Sequence, residues 1–120
     1  MDACIVLGVA SLAIAILLGS AVFAQTSPAS TDTVVTINNA NKFQEVLASS
    51  GTARRMLRIS NNNTNRDSCW VFVGSGQASK EGSYEVPAGK EYLRYPPFVP
   101  SDAIQGTCAS GSDTLDIEYQ

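Results

Sequence analysis

The residues of this chain that could do chemistry are scattered carboxylates, two well-separated cysteines, an arginine cluster and one aromatic–proline run, and there is no histidine at all. That absence removes Ser-His-Asp and Cys-His nucleophile systems, the usual zinc sites, blue copper and histidine-ligated haem. Paired carboxylates could still cleave glycosidic bonds. Glu81, Glu85, Glu91, Asp102, Asp113, Asp116 and Glu118 fall in turns or at outward strand positions, however, so a carboxylate-based hydrolase is the least favoured of the readings below. No Gly-x-x-x-x-Gly-Lys cradles a phosphate, and Gly74-x-Gly76 lacks the helix that a dinucleotide loop needs. The Asn61–Asp67 run, with Asp113, offers oxygens to calcium. It lacks the Asp-x-Asp-x-Asp-Gly spacing and reads as a polar hairpin turn. No catalytic residue, metal or cofactor is expected. Asn62-Asn63-Thr64 fits the glycosylation sequon.

Arg54-Arg55-x-x-Arg58 is the densest cationic cluster. Strand alternation puts Arg54 and Arg58 on one face and Arg55 on the other, which reads as a solvated strand face. With 8 basic against 11 acidic residues, the chain has no patch to collect nucleic-acid phosphates.

The expected binding surface is Tyr92-Leu93-Arg94-Tyr95-Pro96-Pro97-Phe98-Val99-Pro100. Tyrosine, arginine and rigid proline give contact area at low entropic cost. Tyr92, Arg94, Pro96 and Pro97 are its candidate contact residues. Alternation groups Tyr92 with Arg94 on an exposed face, and puts Leu93, Tyr95 and Phe98 at least partly in the core.

The elements that hold these residues are short strands. Cys69-Trp70-Val71-Phe72-Val73 reads as a strand buried on both faces. Arg55–Ser60 alternates, with Leu57 and Ile59 pointing one way, and is expected to form a hairpin with it. Asp113–Tyr119 alternates most cleanly, with Leu115, Ile117 and Tyr119 inward. Thr33–Ile37, Phe43–Ala48, Ser83–Val86, Glu91–Tyr95 and Ala103–Cys108 are further strands. Pro87-Ala88-Gly89 marks a turn, and Pro96–Pro100 a crossing loop. About seven or eight short strands at intervals of about ten residues specify an all-β, antiparallel β-sandwich or barrel, the sandwich being our expectation.

The N-terminus adds a location. From Ala3 to Ala24 there is no charge, and Val22-Phe23-Ala24 offers the small residues of a signal-peptidase site. We expect a signal peptide over 1–24, forming a hydrophobic helix, or, if it is uncleaved, a membrane anchor. Residues 25–32, rich in Ser, Thr, Pro and Ala, form a flexible linker, and 33–120 form the sandwich. Cys4 would leave with the segment. Cys69 and Cys108 then form an even pair in an oxidising compartment and are expected to be bonded. Closing a loop of about 40 residues stabilises the fold by about 4 kcal/mol in the chain-entropy picture.

Pro87-Ala88-Gly89-Lys90-Glu91-Tyr92, Phe98-Val99-Pro100-Ser101-Asp102-Ala103-Ile104 and Ser112–Tyr119 together resemble the closing half of small bacterial exported β-sandwich proteins of uncharacterised function. A looser version is similar to accessory β domains of phage virions. The resemblance covers about Leu57 to Tyr119 and implies a β-sandwich with no known catalytic residue. The expectation is therefore an exported, non-enzymatic module of the cell envelope, periplasmic or secreted, that binds a protein or a glycan. It touches membrane only through its N-terminal segment. The alternative is a structural accessory of the envelope or a virion that self-assembles.

Overall fold

The computed structural model describes residues 29–64 and 66–120. The expected signal or anchor segment, 1–24, and residues 25–28 of the linker lie outside the described residues. Eight strands follow: β1 Thr31–Thr36, β2 Gln44–Leu47, β3 Leu57–Ser60, β4 Cys69–Val73, β5 Tyr84–Val86, β6 Glu91–Arg94, β7 Ile104–Cys108 and β8 Thr114–Tyr119. There is no helix among the described residues. The strands form two antiparallel four-stranded sheets, in the orders β1-β8-β3-β6 and β2-β7-β4-β5. Strand pairing begins at Thr31, two residues inside the stretch expected to be linker.

The alternating strands supply the core. Leu115 and Ile117 of β8 are fully buried, as are Leu57 and Ile59 of β3, which lie beside them in register. Across the layer they meet Cys69 and Val71 of β4 and Ile104 and Cys108 of β7. Gly106 of β7 faces Leu115 of the other sheet and Val46 of its own. A Cβ there would lie 2.9 Å from Leu115 Cδ1 and 3.2 Å from Val46 Cγ1, so a larger residue would force these core side chains to shift. Cys69 and Cys108 face each other directly across β4 and β7 and are bonded, closing a sequence separation of 39 residues.

Two expectations fail, for reasons the fold makes plain. Arg55–Ser60 and Cys69–Val73 do not form a hairpin. β3 pairs with β8 and β6, whereas β4 pairs with β7 and β5 in the other sheet. The stretch between them is a crossover pinned by Asn61, a fully buried polar residue. Its Nδ2 donates to the carbonyls of Asp67 and Val86, both at 2.8 Å, and its Oδ1 accepts from Asn63 N and Nδ2. Its main chain meanwhile bonds Lys90 and Gly89 beside β6. One side chain thus satisfies the backbone where the chain changes sheet, which a buried amide must do to be tolerated there.

β4 is also not buried on both faces. Cys69 and Val71 point into the core, while Trp70 and Phe72 are half-buried on the outside. The 74–83 loop folds over that outer face. Lys80 Nζ stands 3.8 Å above the Trp70 ring, and Gln105 Nε2 donates to the carbonyls of Gly74 and Gly76. An apolar run therefore marks a strand covered by a loop as readily as one sandwiched between layers.

Candidate functional site

β6 and β5 are the edge strands of their two sheets, on the same side of the sandwich. The Tyr95–Ala103 connection crosses from one sheet to the other beside that rim. It is anchored by a turn from Phe98 N–H to the Tyr95 carbonyl and by Gly74 N–H to the Ala103 carbonyl. Between the rim and the connection lies an open groove of about 710 Å³. Tyr84, Tyr92, Arg94, Pro97 and Phe98 line it, with Val73, Val99 and Pro100.

Pairing with β3 decides which side chains face the groove. Tyr92 lies opposite Ile59, and Arg94 opposite Leu57. Both therefore share the inward face of β6, and Leu93 lies outward beside Arg58. For Tyr92, Tyr95 and Phe98 the expected exposure is reversed, whereas Leu93 is partly buried as expected. Tyr92 is buried, at 6% exposed, whereas Phe98 is 78% and Tyr95 60% exposed. Leu93 and Arg94 are half-buried. Alternation groups Tyr92 with Arg94 correctly but does not say which way the pair faces. At a sheet edge a long cationic side chain can point inward and still carry its head to water.

Of the four expected contact residues, the fold brings Tyr92, Arg94 and Pro97 into the groove. Pro96 is exposed beside them, outside the lining. Tyr84, half-exposed at the start of β5, completes the site and was missed. It comes from a different strand of the other sheet, and its only signal is an aromatic at the open end of a three-residue strand.

The geometry is an aromatic clamp on a cation. The Tyr84 and Tyr92 ring centroids are 5.1 Å apart and tilted by 51°. The Arg94 guanidinium carbon lies 4.3 Å from the Tyr92 centroid and 5.0 Å from that of Tyr84, within cation–π range. Its Nη1 donates to the Leu93 carbonyl at 3.0 Å. No ion pair to Arg94 is present among the described residues. Burial pushes the Tyr92 phenol above its ordinary range, against the pull of the Arg94 charge, so it stays neutral. The groove thus offers flat apolar surface, a phenol and a cation held by rings instead of by acids.

The other candidate chemistry is dispersed. Arg54 is not on a solvated face. It is buried, at 6% exposed, and donates to the carbonyls of Pro100 at 2.7 Å, Asp102 at 2.9 Å and Ala48 at 2.6 Å. Desolvation lowers its pKa, opposed by Tyr119 and Asp102. Arg58 pairs with Glu118 at 2.5 Å and lies 3.8 Å from Glu91. Asp113, expected in a turn or at an outward position, is buried, close to the sulfurs of Cys69 and Cys108. Those sulfurs are bonded to each other and offer no thiolate to a metal. The Asp116 carboxyl is raised above its ordinary pKa, first by a hydrogen bond with Asp32, then by desolvation and the Asp32 charge, with Arg58 opposing. This pair stands on the outer face of the first sheet, away from the groove. Asn62 of the sequon is exposed.

Comparison of the chain with models of protein families, with curated proteins and with solved structures finds no match.

Proposed function

We propose that this chain is a non-catalytic binding module of an exported, oxidising compartment, and that the groove at the β5–β6 rim takes an extended glycan. The observation that carries this reading is Arg94, stacked on two tyrosines and in no ion pair among the described residues. A guanidinium in that position keeps donors for sugar hydroxyls or carboxylates. The neighbouring Tyr84 and Phe98 are exposed and offer ring surface against which the apolar face of a sugar can pack. The open, shallow shape suits a chain running through it better than a small molecule enclosed by it. The buried disulfide of a small domain supports the oxidising location.

The test is an oligosaccharide array, followed by titration of each hit against wild type, Arg94→Gln and Phe98→Ala. The reading requires a saccharide whose affinity falls in both variants while their melting temperatures stay at the wild-type value. Absence of any saccharide hit, or hits indifferent to both substitutions, would overturn it.

A further inference from the structure

The opposite rim of the sandwich carries a different kind of surface. β1 is the edge strand of the first sheet and pairs only with β8. The direction of its peptide groups follows from its last contacts. Ile37 N–H donates to the Asp113 carbonyl, and the Ile37 carbonyl accepts from Ser112 N–H, so Ile37 faces the β8 side with both groups. Alternation then turns Val35, Thr33 and Thr31 toward β8, and Thr36, Val34 and Asp32 away from it. Gln44 verifies this parity. Its Nε2 donates to the Thr36 carbonyl at 3.1 Å, and its Oε1 accepts from Asn38 N–H at 2.9 Å, both on the outer edge. Gln44 therefore caps one end of that edge. The N–H and C=O groups of Asp32 and Val34 are left facing outward, on a stretch where Thr31 to Val34 is exposed throughout.

We infer that this edge pairs with the same edge of a second copy, β1 against β1, antiparallel about a two-fold axis. Three observations select the occupant. A partner strand must stop before Thr36, because Gln44 already holds its carbonyl. It must use the free groups of two residues spaced i and i+2. It must also keep acids away from Asp32, whose neighbours in β8 are Glu118 and Asp116. In the two-fold arrangement with Thr33 on the axis, Asp32 of each copy lies opposite Val34 of the other. Four hydrogen bonds form and no free group of Asp32 or Val34 remains. Shifting the register one way puts Asp32 against Asp32, which like charge disfavours. Shifting it the other way sets Asp32 against the capped Thr36. β1 also lacks the lysine, proline or bulge that blunts an exposed edge. The contact is isologous and closes at two copies.

The experiment uses the full chain with Cys4→Ser, so that the only added thiol is the probe. Thr33→Cys places two cysteines opposite each other across the axis, the same juxtaposition that Cys69 and Cys108 have between β4 and β7. Mild oxidation should give a disulfide-linked dimer for Thr33→Cys and not for Val34→Cys, whose copies are offset along the strands. Adding Val34→Pro should abolish the cross-link without lowering the melting temperature, because the N–H it removes faces away from β8. Sedimentation of the Cys4→Ser chain should show a concentration-dependent dimer that Val34→Pro converts to monomer. Equal cross-linking of Thr33→Cys and Val34→Cys overturns the register. A Val34→Pro chain that loses its fold overturns the parity. A chain monomeric at every concentration, or one that instead captures a lysine-rich extended peptide, overturns the second copy as occupant.

Discussion

Arg54 and Arg94 stand on either side of the same connection, and they do opposite work. Arg54 spends its guanidinium on three main-chain carbonyls, two of them in that connection, and is buried. Arg94 lies over two tyrosine rings, donates to the carbonyl of its neighbour Leu93, and keeps its head near water. The same residue type is a structural clamp where it meets carbonyls and a ligand-ready cation where it meets rings. The acceptors decide the role, because donors already committed to buried carbonyls are not open to a partner.

The largest effect should come from Arg54→Ala. It leaves carbonyls without a donor in a buried setting, and we expect a loss of about 3–5 kcal/mol in denaturant unfolding. Arg54→Lys should recover only part, since a point charge cannot reach three acceptors at once. A loss below about 1 kcal/mol would erase the distinction between the two arginines. Tyr92→Ala should follow, at about 3 kcal/mol, as a buried aromatic at the rim of the core. If it melts like wild type, Tyr92 faces solvent and the face assignment reverses.

Smaller stability effects sharpen the other half of the comparison. Arg94→Gln and Phe98→Ala should each stay within about 0.5 kcal/mol of wild-type stability. Ligand affinity should drop by more than about 1 kcal/mol in each. Calorimetric titration beside thermal melts separates the two readouts.

Arg58 is a third case, matched to acids on an open face. Arg58→Ala should shift stability by less than about 1 kcal/mol, and less still in high salt. The smallest effect concerns its acidic neighbours. The folded pKa of Asp116 is raised, so the folded state holds a proton that the unfolded state has released. Stability from this group is present at low pH and is lost as pH rises from the ordinary carboxylate value through the raised one. Asp32→Asn should flatten that dependence and stabilise the neutral-pH protein by a few tenths of a kcal/mol, relieving like charge between neighbouring strands. Denaturation curves at acid and neutral pH compare the two; an unchanged pH slope would remove Asp32 as the cause.

How much was readable in the residues differs from one element to the next. β8 was legible because Leu115, Ile117 and Tyr119 alternate with polar residues over its whole length. The disulfide was legible because only two cysteines lie beyond the hydrophobic N-terminal segment. Half of the groove was legible as an aromatic–proline run. Tyr84 was not, since it arrives from another strand, and Tyr92 was assigned to the wrong face. Asn61 looked like any turn asparagine, and Arg54 like any strand arginine, because nothing local shows which carbonyls will lie nearby.

The sequence by itself determined the strand periods, the turn at Pro87–Gly89, the all-β class and the absence of histidine chemistry. These follow from backbone sterics and side-chain type, which act over a few residues. Only the tertiary structure decided that β3 and β4 belong to different sheets, that Tyr92 points inward, and that Arg54 is buried while Arg94 is stacked and open. Each of those depends on register between strands distant in the chain. A period of two leaves two faces open, and the choice between them is made by what packs against the strand, which no local stretch contains.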